Sequence, residues 1–242
     1  MLDQNIKKIR NEIVSCTRCP RLVEFRTKIA KEKRKSYMDW DYWGKPVPGY
    51  GDDNSKLLIL GLAPAAHGGN RTGRVFTGDK SADFLFKCMH AAGISNQPES
   101  IAFDDGLKLN GFMSVAVKCV PPGDKPTAEE RNNCADHLAN EIECLPNMKI
   151  VLGLGKIGFE SFLHYTRKSH DIKMKDFPFK HGVGYELPSG VTLYGAYHPS
   201  PRNVNTKRIT FDMMVKFLKN LKYEISVSYT HLRAHETIPY RV

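Results

Sequence analysis

Four short apolar runs that alternate with longer helix-like segments constrain the fold of this chain most. The runs are LLILGLAP (57–64), FMSVAVKCV (112–120), KIVLGLG (149–155) and TLYGAYHPS (192–200). Continuous apolar runs of this length are typical of strands that are buried on both faces. Helix-like segments follow them at about 80–92, 127–143, 156–167 and 205–222. The alternation predicts an α/β fold with three layers, α/β/α, around a central, mostly parallel four-stranded sheet.

Short sequence patterns predict where several helices begin. Ile6, Ile9 and Ile13 have helical spacing, and Pro20 suits the first turn of a second helix, so we expect an N-terminal helical arm. Thr127 and the glutamate three residues later match a capping box, which predicts a helix start there. The intervening stretch DWDYWGKPVPGYGDDNSK is rich in glycine, proline and aromatics and is interpreted as a loop that leads into the core.

The C-terminal stretch ISVSYTHLRAHETIPYRV has no amphipathic period, and SYTHLRAHET within it resembles a translated sequencing adaptor. A chain of 242 residues is long enough for one well-buried domain. We therefore expect a single domain over residues 1–224, followed by a tail, 225–242, that is non-native or disordered.

The charge balance favours a polyanionic partner. Lysine and arginine number 36 against 26 acidic residues, which gives a formal net charge of +10. No apolar run approaches the roughly 20 residues of a membrane helix, and the N-terminus lacks the apolar core of a signal peptide, so we expect an intracellular protein with no membrane partner. Six cysteines in such a chain indicate metal, cluster or catalytic use more than disulfides.

The loop after the first apolar run, GLAPAAHGGNRTGRVFTGD (61–79), is glycine-rich but matches neither phosphate-binding pattern. Its small residues Ala63, Pro64 and Ala65 allow a flat ligand to approach the backbone closely. One alternative is a nucleotide hydrolase that uses His67 from this loop, although no partner carboxylate is evident in the sequence.

The cysteine pattern predicts a four-thiolate site. Two cysteines form a C-x2-C pair before the second helix, one ends the second strand, and one lies on the helix after it. The candidate ligands are Cys16, Cys19, Cys119 and Cys134. Cys144 is a competing fourth ligand, and Cys88 lies in an apolar helix as a core residue. Four thiolates fit either zinc or an iron-sulfur cluster, so the spacing leaves both open.

The last apolar run ends in YHPSPRN (197–203), where two prolines around a serine make a stiff loop. A histidine held at a strand end can donate to a developing oxyanion. Right-handed crossovers bring the loops after parallel strands to one edge of the sheet. We therefore expect PAAHGGNRTG, KCVPPGDKP and HPSPRN to converge in one cleft.

These three motifs together resemble the uracil-DNA glycosylase superfamily, most closely its type 5, iron-sulfur branch, over residues 16 to about 222. The resemblance implies a monofunctional DNA glycosylase of base excision repair. Such an enzyme flips a deaminated base out of DNA and hydrolyses its N-glycosidic bond, leaving an abasic site. It also implies that the four candidate cysteines hold a 4Fe-4S cluster with a structural role.

The resemblance implies roles for the motif residues. The first loop would line the base pocket, Phe76 would stack on the flipped base, and His198 would donate to the uracil O2 as negative charge develops there. The pocket would comprise Gly61, Ala63, Pro64, Ala65, His67, Phe76 and Val115. The DNA backbone and the vacated space in the stack would be contacted by Arg71, Ser200, Pro201, Arg202 and Asn203.

Two departures from related branches affect the chemistry. Leu62 and Ala63 stand where several branches carry a carboxylate or asparagine that positions water, so Asn70 becomes the best candidate for that task, with Asp79 behind it. Asp79 also suits the N-cap of the helix that begins near residue 80. Val115 stands where many relatives carry an asparagine that reads the uracil edge, which predicts loose base selection that extends to hypoxanthine or xanthine.

We expect a monomer that acts on double-stranded DNA, with single-stranded DNA as an alternative substrate, in the cytoplasm at the nucleoid. The competing function is a non-catalytic nucleic-acid binding module in which the four cysteines hold zinc.

Overall fold

A computed structural model describes the main chain of residues 2–235 and the side chains of residues 5–227. Six strands form one sheet in the order β1-β3-β2-β4-β6-β5. The strands are β1 (Tyr50–Gly51), β2 (Leu57–Gly61), β3 (Phe112–Val115), β4 (Ile150–Leu154), β5 (Gly184–Glu186) and β6 (Thr192–Ala196). The four central strands pair in parallel, as the apolar runs predict, and each begins within a predicted run.

The prediction of four strands omitted both edges of the sheet. β1 pairs antiparallel with β3 and β5 pairs antiparallel with β6. These edge strands are two and three residues long and face solvent. They carry no continuous apolar run because an edge strand is not buried on both faces, so hydropathy gives no signal for them.

Eight α-helices surround the sheet in the described part of the chain. They are α1 (Leu2–Val14), α2 (Pro20–Glu32), α3 (Gly69–Thr72), α4 (Lys80–Ala91), α5 (Ala128–Glu143), α6 (Lys156–Thr166), α7 (Pro201–Asn205) and α8 (Phe211–His235). The capping box of Thr127 with Glu130 starts α5 as predicted. The segment predicted as one helix from 205 to 222 is instead divided, because the proline motif forms the separate α7 before α8 begins.

The side chains of the central strands alternate between two apolar cores, which confirms the three-layer α/β/α architecture. In β2, Leu57 and Ile59 pack on the face covered by α4 and α8. Leu58 and Leu60 pack on the opposite face, under α5 and α6. Since helices cover both faces, the loops at the carboxyl ends of the parallel strands are left as the open edge.

The structure describes part of the predicted tail. α8 continues through His235, so the main chain of residues 225–235 is helical. Ile225 packs against the core beside α4, which carries the helix past the predicted boundary at 224. Residues 236–242 lie outside the described part, and the non-native origin of the tail stays a prediction. Within the described residues, no helix combines the length and the apolar character needed to span a bilayer.

Candidate functional site

The loops after β2, β3 and β6 meet at the carboxyl edge of the sheet, as expected. Main-chain hydrogen bonds extend past the strand ends, from Ala116 N to Gly61 O (3.0 Å) and from Val117 N to Leu62 O (2.9 Å). On the other side, Gly155 N donates to Ala196 O at 2.7 Å. The three predicted motifs therefore start from one rigid platform of parallel strands.

The first loop folds back on itself directly after β2. Ala65 O accepts hydrogen bonds from Gly68 N (3.2 Å) and Asn70 N (3.0 Å), and the one-turn helix α3 follows. Pro64 is buried, and a Cβ on Gly69 would come within 2.9 Å of the Pro64 Cβ. The glycines are needed for this close packing, so the loop is a compact wall and not a phosphate-binding nest.

Phe76 stands over the end of β2, where a base-stacking platform was predicted. A Cβ on Gly61 would overlap the Phe76 ring, whose tip, at Cζ, lies against the glycine. Phe76 is half-buried and has φ of 50°, a left-handed conformation that is unusual for an aromatic residue. Non-glycine residues persist in that conformation when the surrounding structure fixes them, and they concentrate at functional sites.

Arg71 lies inside the protein, not on a DNA-facing surface. Its side chain is 3% exposed. The guanidinium lies over the rings of both Tyr37 and Trp40, at 4.0 and 3.9 Å from their centroids. It also donates to His67 O (2.7 Å) and Gly78 O (3.0 Å). The predicted DNA contact is therefore not available in this arrangement, and Arg71 clamps the first loop to the aromatic segment before β1.

His67 faces the same aromatic segment. Its Nδ1 lies 3.0 Å from the hydroxyl of Tyr42. Burial lowers the pKa of His67, and the nearby positive charges of Arg34 and Arg71 lower it further. Because the ring's partner is a phenol and not a carboxylate, the arrangement lacks the acidic group that the alternative nucleotide hydrolase needs to orient its base.

The two candidates for water positioning lie in different environments. Asn70 is 1% exposed and its Nδ2 donates to Arg26 O at 3.2 Å, so its amide points into the protein. Asp79 caps α4 with one oxygen, which accepts from Ser81 N (2.9 Å) and Ala82 N (3.1 Å). Its other oxygen lies against Gly68 of the first loop. Burial raises the pKa of Asp79. The N-cap interpretation of Asp79 is thus confirmed, with one oxygen left on the loop side.

His198 is held by the loop that follows β6. Its carbonyl accepts from Ser200 N (2.8 Å) and from the side-chain amide of Asn203 (2.8 Å). Its Cβ lies 3.4 Å from the position that a Cβ on Gly155 would take, which places it beside the start of α6. Burial lowers the pKa of His198, so the imidazole is neutral near pH 7 and carries one N–H donor.

Asp124 is a site residue that the sequence analysis did not single out. Its carboxylate acts on His198 in the direction that raises the histidine pKa, against the larger effect of burial. Asp124 follows Gly123 in the KCVPPGDKP motif, and its own φ is 57°. The sequence signal that could have identified Asp124 was its position in the KCVPPGDKP motif, which was already predicted to lie in the cleft.

The HPSPRN motif builds the short helix α7. Ser200 caps it by accepting from Asn203 N at 3.4 Å, and Pro201 is its first residue. Arg202 is exposed on the first turn, whereas the side chain of Asn203 is committed to the His198 carbonyl. Arg202 is therefore the member of the predicted DNA-contacting set that offers a free-standing charged side chain at the surface.

A second surface cation, absent from the sequence predictions, lies next to this motif. The guanidinium of Arg208 stacks over the ring of Tyr197 at 4.2 Å from its centroid. Tyr197 in turn stacks on His181, with centroids 5.0 Å apart and an interplanar angle of 12°. The stack holds the exposed Arg208 beside the end of β6. The sequence analysis missed this arrangement because Arg208, Tyr197 and His181 are separated in sequence.

Val115 contributes its side chain to the core. It is 1% exposed and belongs to the same apolar core as Leu154 and Ala196, which lie at the ends of β4 and β6. Its carbonyl accepts from the buried ammonium of Lys118 at 2.9 Å, and Lys118 also pairs with Glu141 at 2.5 Å. The Lys118–Glu141 pair, with both side chains 1% exposed, joins the segment after β3 to α5 and was not predicted from the sequence.

The four predicted cysteine ligands line one small cavity. They are Cys16, Cys19, Cys119 and Cys134, and all are free thiols. An apolar cluster of Leu22 and Val117 surrounds them, and Ala63 of the first loop packs against it. The competitor Cys144 lies in the separate core under α5 and α6, and Cys88 lies in the core beside α4, as predicted for it.

This cysteine site is electrostatically unfavourable for bare thiolates. Burial raises the pKa of Cys119 to about 12 and raises the pKa of Cys19 and Cys134. Within the described residues, no three or more His, Cys, Asp or Glu side chains are gathered closely enough to hold a single metal ion. The thiols instead surround a common space from three directions, namely the α1–α2 junction, the segment after β3, and α5.

Comparisons with known proteins agree with the three motifs. A sequence model of the family described as Uracil DNA glycosylase superfamily matches residues 48–222. A Type-5 uracil-DNA glycosylase of Pyrobaculum aerophilum is 44% identical over 210 residues, which cover 86% of this chain and 88% of the relative. One from Thermus thermophilus is 42% identical over 211 residues, covering 87% and 94%. A Type-4 uracil-DNA glycosylase of Archaeoglobus fulgidus is 23% identical over 152 residues, covering 62% and 60%.

The family match spans all four central strands, the first loop, the segment after β3 and the HPSPRN motif. Curated relatives above 40% identity extend it to most of the chain. The motifs, their meeting point at one sheet edge and these matches lead to the same family: this chain belongs to the uracil-DNA glycosylase superfamily.

Proposed function

We propose that this chain is a monofunctional DNA-repair glycosylase that removes uracil from DNA and leaves an abasic site. The observation that carries the proposal is the pairing of an aromatic platform with a neutral histidine donor at one edge of the sheet. Phe76 lies over Gly61 at the end of β2, and His198 is fixed at the end of β6. The similar proteins from Pyrobaculum aerophilum and Thermus thermophilus are uracil-DNA glycosylases, which supports the same reaction.

In the proposed reaction the target nucleotide leaves the base stack and its base enters the cleft. Phe76 stacks on the ring, and the wall of small residues at 63–65 allows the base to approach the backbone. The bond between the sugar C1′ and the base N1 breaks, and the base retains the electron pair. Water adds its oxygen to C1′ and loses a proton, and the departing base takes up a proton, so the products are free uracil and an abasic sugar.

His198 stabilises the negative charge that develops on the departing uracil. Its neutral imidazole donates to O2, and one such donor is typically worth about 3 kcal/mol in the transition state. The side chain of Asn203 and the main chain of Ser200 hold the His198 carbonyl, so the donor is fixed before substrate arrives. Because uracil is a tolerable anion as a leaving group, the hydrogen bond from His198 supplies most of the proposed catalysis.

Asp79 is the better placed of the two proposed water-positioning residues. One of its oxygens faces the first loop, whereas the Asn70 amide is directed at Arg26 O. Asp79 can take this role without a second carboxylate, because orienting a water molecule requires only one hydrogen-bond acceptor. Replacing Asp79 with asparagine keeps the cap and an acceptor, so the rate should fall less than with alanine.

We propose that HPSPRN and its surroundings contact the DNA backbone. Arg202 is exposed on α7, and Arg208 is held nearby on the Tyr197 ring. The net charge of +10 supports the same partner, since phosphate contacts dominate affinity for DNA. Changing either arginine to alanine should weaken binding and lower the salt dependence of the affinity by about one phosphate contact.

The four cysteines are proposed to hold a 4Fe-4S cluster with a structural role. The donor set fits, because four free thiols face one cavity and Arg26 directs a guanidinium N–H at Cys119 Sγ, 3.6 Å away. The cluster would supply no step of the reaction and would bind the N-terminal arm to the core. Iron and sulfide analysis with the visible spectrum tests this directly, and colourless protein with one zinc ion would favour the alternative binding module.

The base-release assay that tests the function uses duplexes with a single uracil, hypoxanthine or xanthine, with cleavage at the abasic site as readout. Uracil release that depends on His198 is the expected result. No release from any duplex would overturn the proposal. Release of hypoxanthine at a rate near that of uracil would support loose base selection, and strict uracil preference would refute the argument from Val115.

We also propose that the protein acts as a monomer on double-stranded DNA, in the cytoplasm at the nucleoid. The cleft is built from one chain, so a second copy is not required for its residues. Sedimentation with and without a uracil duplex measures the oligomeric state, and single-stranded substrate compared at equal salt measures the strand preference.

A further inference from the structure

Arg26 is a buried cation that forms no ion pair with a carboxylate in the described part of the chain. It is 6% exposed in the middle of α2. Arg74, which is 4% exposed, pairs with the Asp105 carboxylate at 2.6 Å, and Arg21 pairs with Glu130 at the same distance. No ion pair among the described residues includes Arg26. Burying a charge without a nearby anion costs several kcal/mol, so an anion beside Arg26 would stabilise this arrangement.

The guanidinium of Arg26 faces the cysteine site. Nη1 lies 3.6 Å from Cys119 Sγ, and Nη2 donates to Cys16 O at 3.3 Å. Two other N–H groups approach two further sulfurs of the cysteine site: Lys118 N lies 3.4 Å from Cys134 Sγ, and Asn133 Nδ2 lies 3.6 Å from Cys19 Sγ. Among these three donors only Arg26 brings a formal charge. An anionic thiolate site therefore supplies the counter-charge that Arg26 lacks.

The main chain of Arg26 faces the opposite way, toward the base-pocket loop. Asn70 Nδ2 donates to Arg26 O at 3.2 Å, and Asn70 O accepts from Gly44 N at 3.0 Å. Gly44 lies so close to α2 that a Cβ there would come within 2.9 Å of Ala30 Cβ. Asn70 thus fastens the first loop to α2 through a fully buried amide.

We infer that Arg26 connects the cysteine site to the base pocket: its guanidinium balances the bound thiolates, and its carbonyl positions Asn70 and with it the first loop. The inference rests on the proposed cluster. Cys16 and Cys19 flank the start of α2, so a cluster fixes this helix at its N-terminal end. Loss of the cluster leaves the buried Arg26 charge uncompensated, which drives the helix out of position and releases Asn70.

The two roles of Arg26 use different atoms, so two variants separate them. Arg26→Gln removes the charge and keeps the carbonyl. In the intact holoprotein it should lower the reduction potential of the cluster, because reduction adds negative charge that a nearby cation stabilises. It should also accelerate cluster loss to a chelator, while hydrogen exchange in residues 61–79 stays at the wild-type level. Arg26→Lys should restore much of the potential.

Asn70→Ala removes the link to the loop and keeps the charge. The potential should stay at the wild-type value, whereas exchange of the amides in residues 65–73 should rise roughly five- to tenfold, the change expected for one lost hydrogen bond. In wild-type protein, removal of the cluster should raise exchange in the same amides. In Asn70→Ala it should add little more, because the link is already broken.

Arg21→Gln is the matched control. Arg21 is also a cation near the cysteine site, but it has its own carboxylate partner in Glu130 and its side chain is 44% exposed. Its loss should leave the potential and the loop exchange unchanged. Equal potential shifts for Arg26→Gln and Arg21→Gln would overturn the charge role. Loop exchange that responds to cluster removal equally in wild type and Asn70→Ala would overturn the coupling. Protein without iron would refute the proposed cofactor itself, and the inference with it.

Discussion

The exchange of His198 for alanine tests the proposed chemistry most directly. The structure shows one imidazole fixed through its own carbonyl by Ser200 and Asn203, and its pKa is lowered by burial. Alanine keeps these main-chain bonds and deletes only the donor. Loss of one preorganised donor typically costs 10²- to 10³-fold, or about 2.7–4 kcal/mol, so the single-turnover rate of uracil release should fall by that factor.

The assay uses saturating enzyme and one uracil duplex, so that the measured rate reports the chemical step and not product release. Affinity for a duplex with an uncleavable uracil analogue should stay within about twofold, because Arg202 and the loop are unchanged. His198→Asn retains an N–H donor and should recover part of the loss. His164→Ala, which removes an exposed histidine from α6, is the matched control and should react at the wild-type rate.

The pH profile adds an independent check on the protonation state. Because burial lowers the pKa of His198 below its ordinary value near 6.5, the donor is neutral above that pH. The single-turnover rate should therefore not decrease between pH 7 and 8.5. A rate that falls about tenfold per unit in this range would identify an imidazolium as the donor. A wild-type rate in His198→Ala would refute the electrophilic role altogether.

Three further predictions follow from the packing. Gly61→Ala puts a Cβ where the Phe76 ring lies and should reduce base release about as much as Phe76→Ala, roughly 10- to 100-fold, whereas Gly111→Ala, whose Cβ would have 3.6 Å of clearance, should be neutral in the same assay. Glu141→Gln strands the buried Lys118 charge and should lower the free energy of unfolding by about 3–5 kcal/mol in urea titrations. Acidification should also destabilise the fold, because burial lowers the pKa of several histidines and the unfolded chain then binds more protons; the stability should be complete above pH 6.5 and decline as the pH falls through the lowered values. These histidines are His67, His137, His181 and His198.

The sequence was sufficient for the parts of the fold that depend on local signals. Buried parallel strands produce continuous apolar runs, so the four central strands were predictable, and the Thr127 capping box marked the start of α5. The cysteine pattern predicted that Cys16, Cys19, Cys119 and Cys134 would lie together, and these four line one cavity, whereas their role as ligands stays a prediction. The two edge strands were not, since β1 and β5 are short and their exposed faces carry no hydropathy pattern.

The direction of each polar side chain in the first loop could not be read from the sequence. Arg71 and Asn70 stand in a polar, glycine-rich stretch that is typical of an exposed binding loop, yet they are 3% and 1% exposed. The one-turn helix α3 rotates both side chains inward, and this turn depends on Pro64 packing against Gly69. Partners that are distant in sequence, such as Arg26 for Asn70, complete the arrangement.

These inward polar groups explain how the cleft can act without an obvious base in the first motif. Stabilising a leaving group by a fixed donor requires rigidity before the reaction, because a donor that must reorganise loses much of its effect. Phe76 and Asp124 both hold positive φ angles beside the proposed base site, and such strain costs of order 1–3 kcal/mol each. The Arg71 clamp fixes the first loop at His67 and Gly78, and the buried Lys118–Glu141 pair fixes the segment after β3. Asn70 and Arg71 thus hold the first loop in place, which leaves the half-buried His198 as the proposed donor to the base and the exposed Arg202 as the proposed DNA contact.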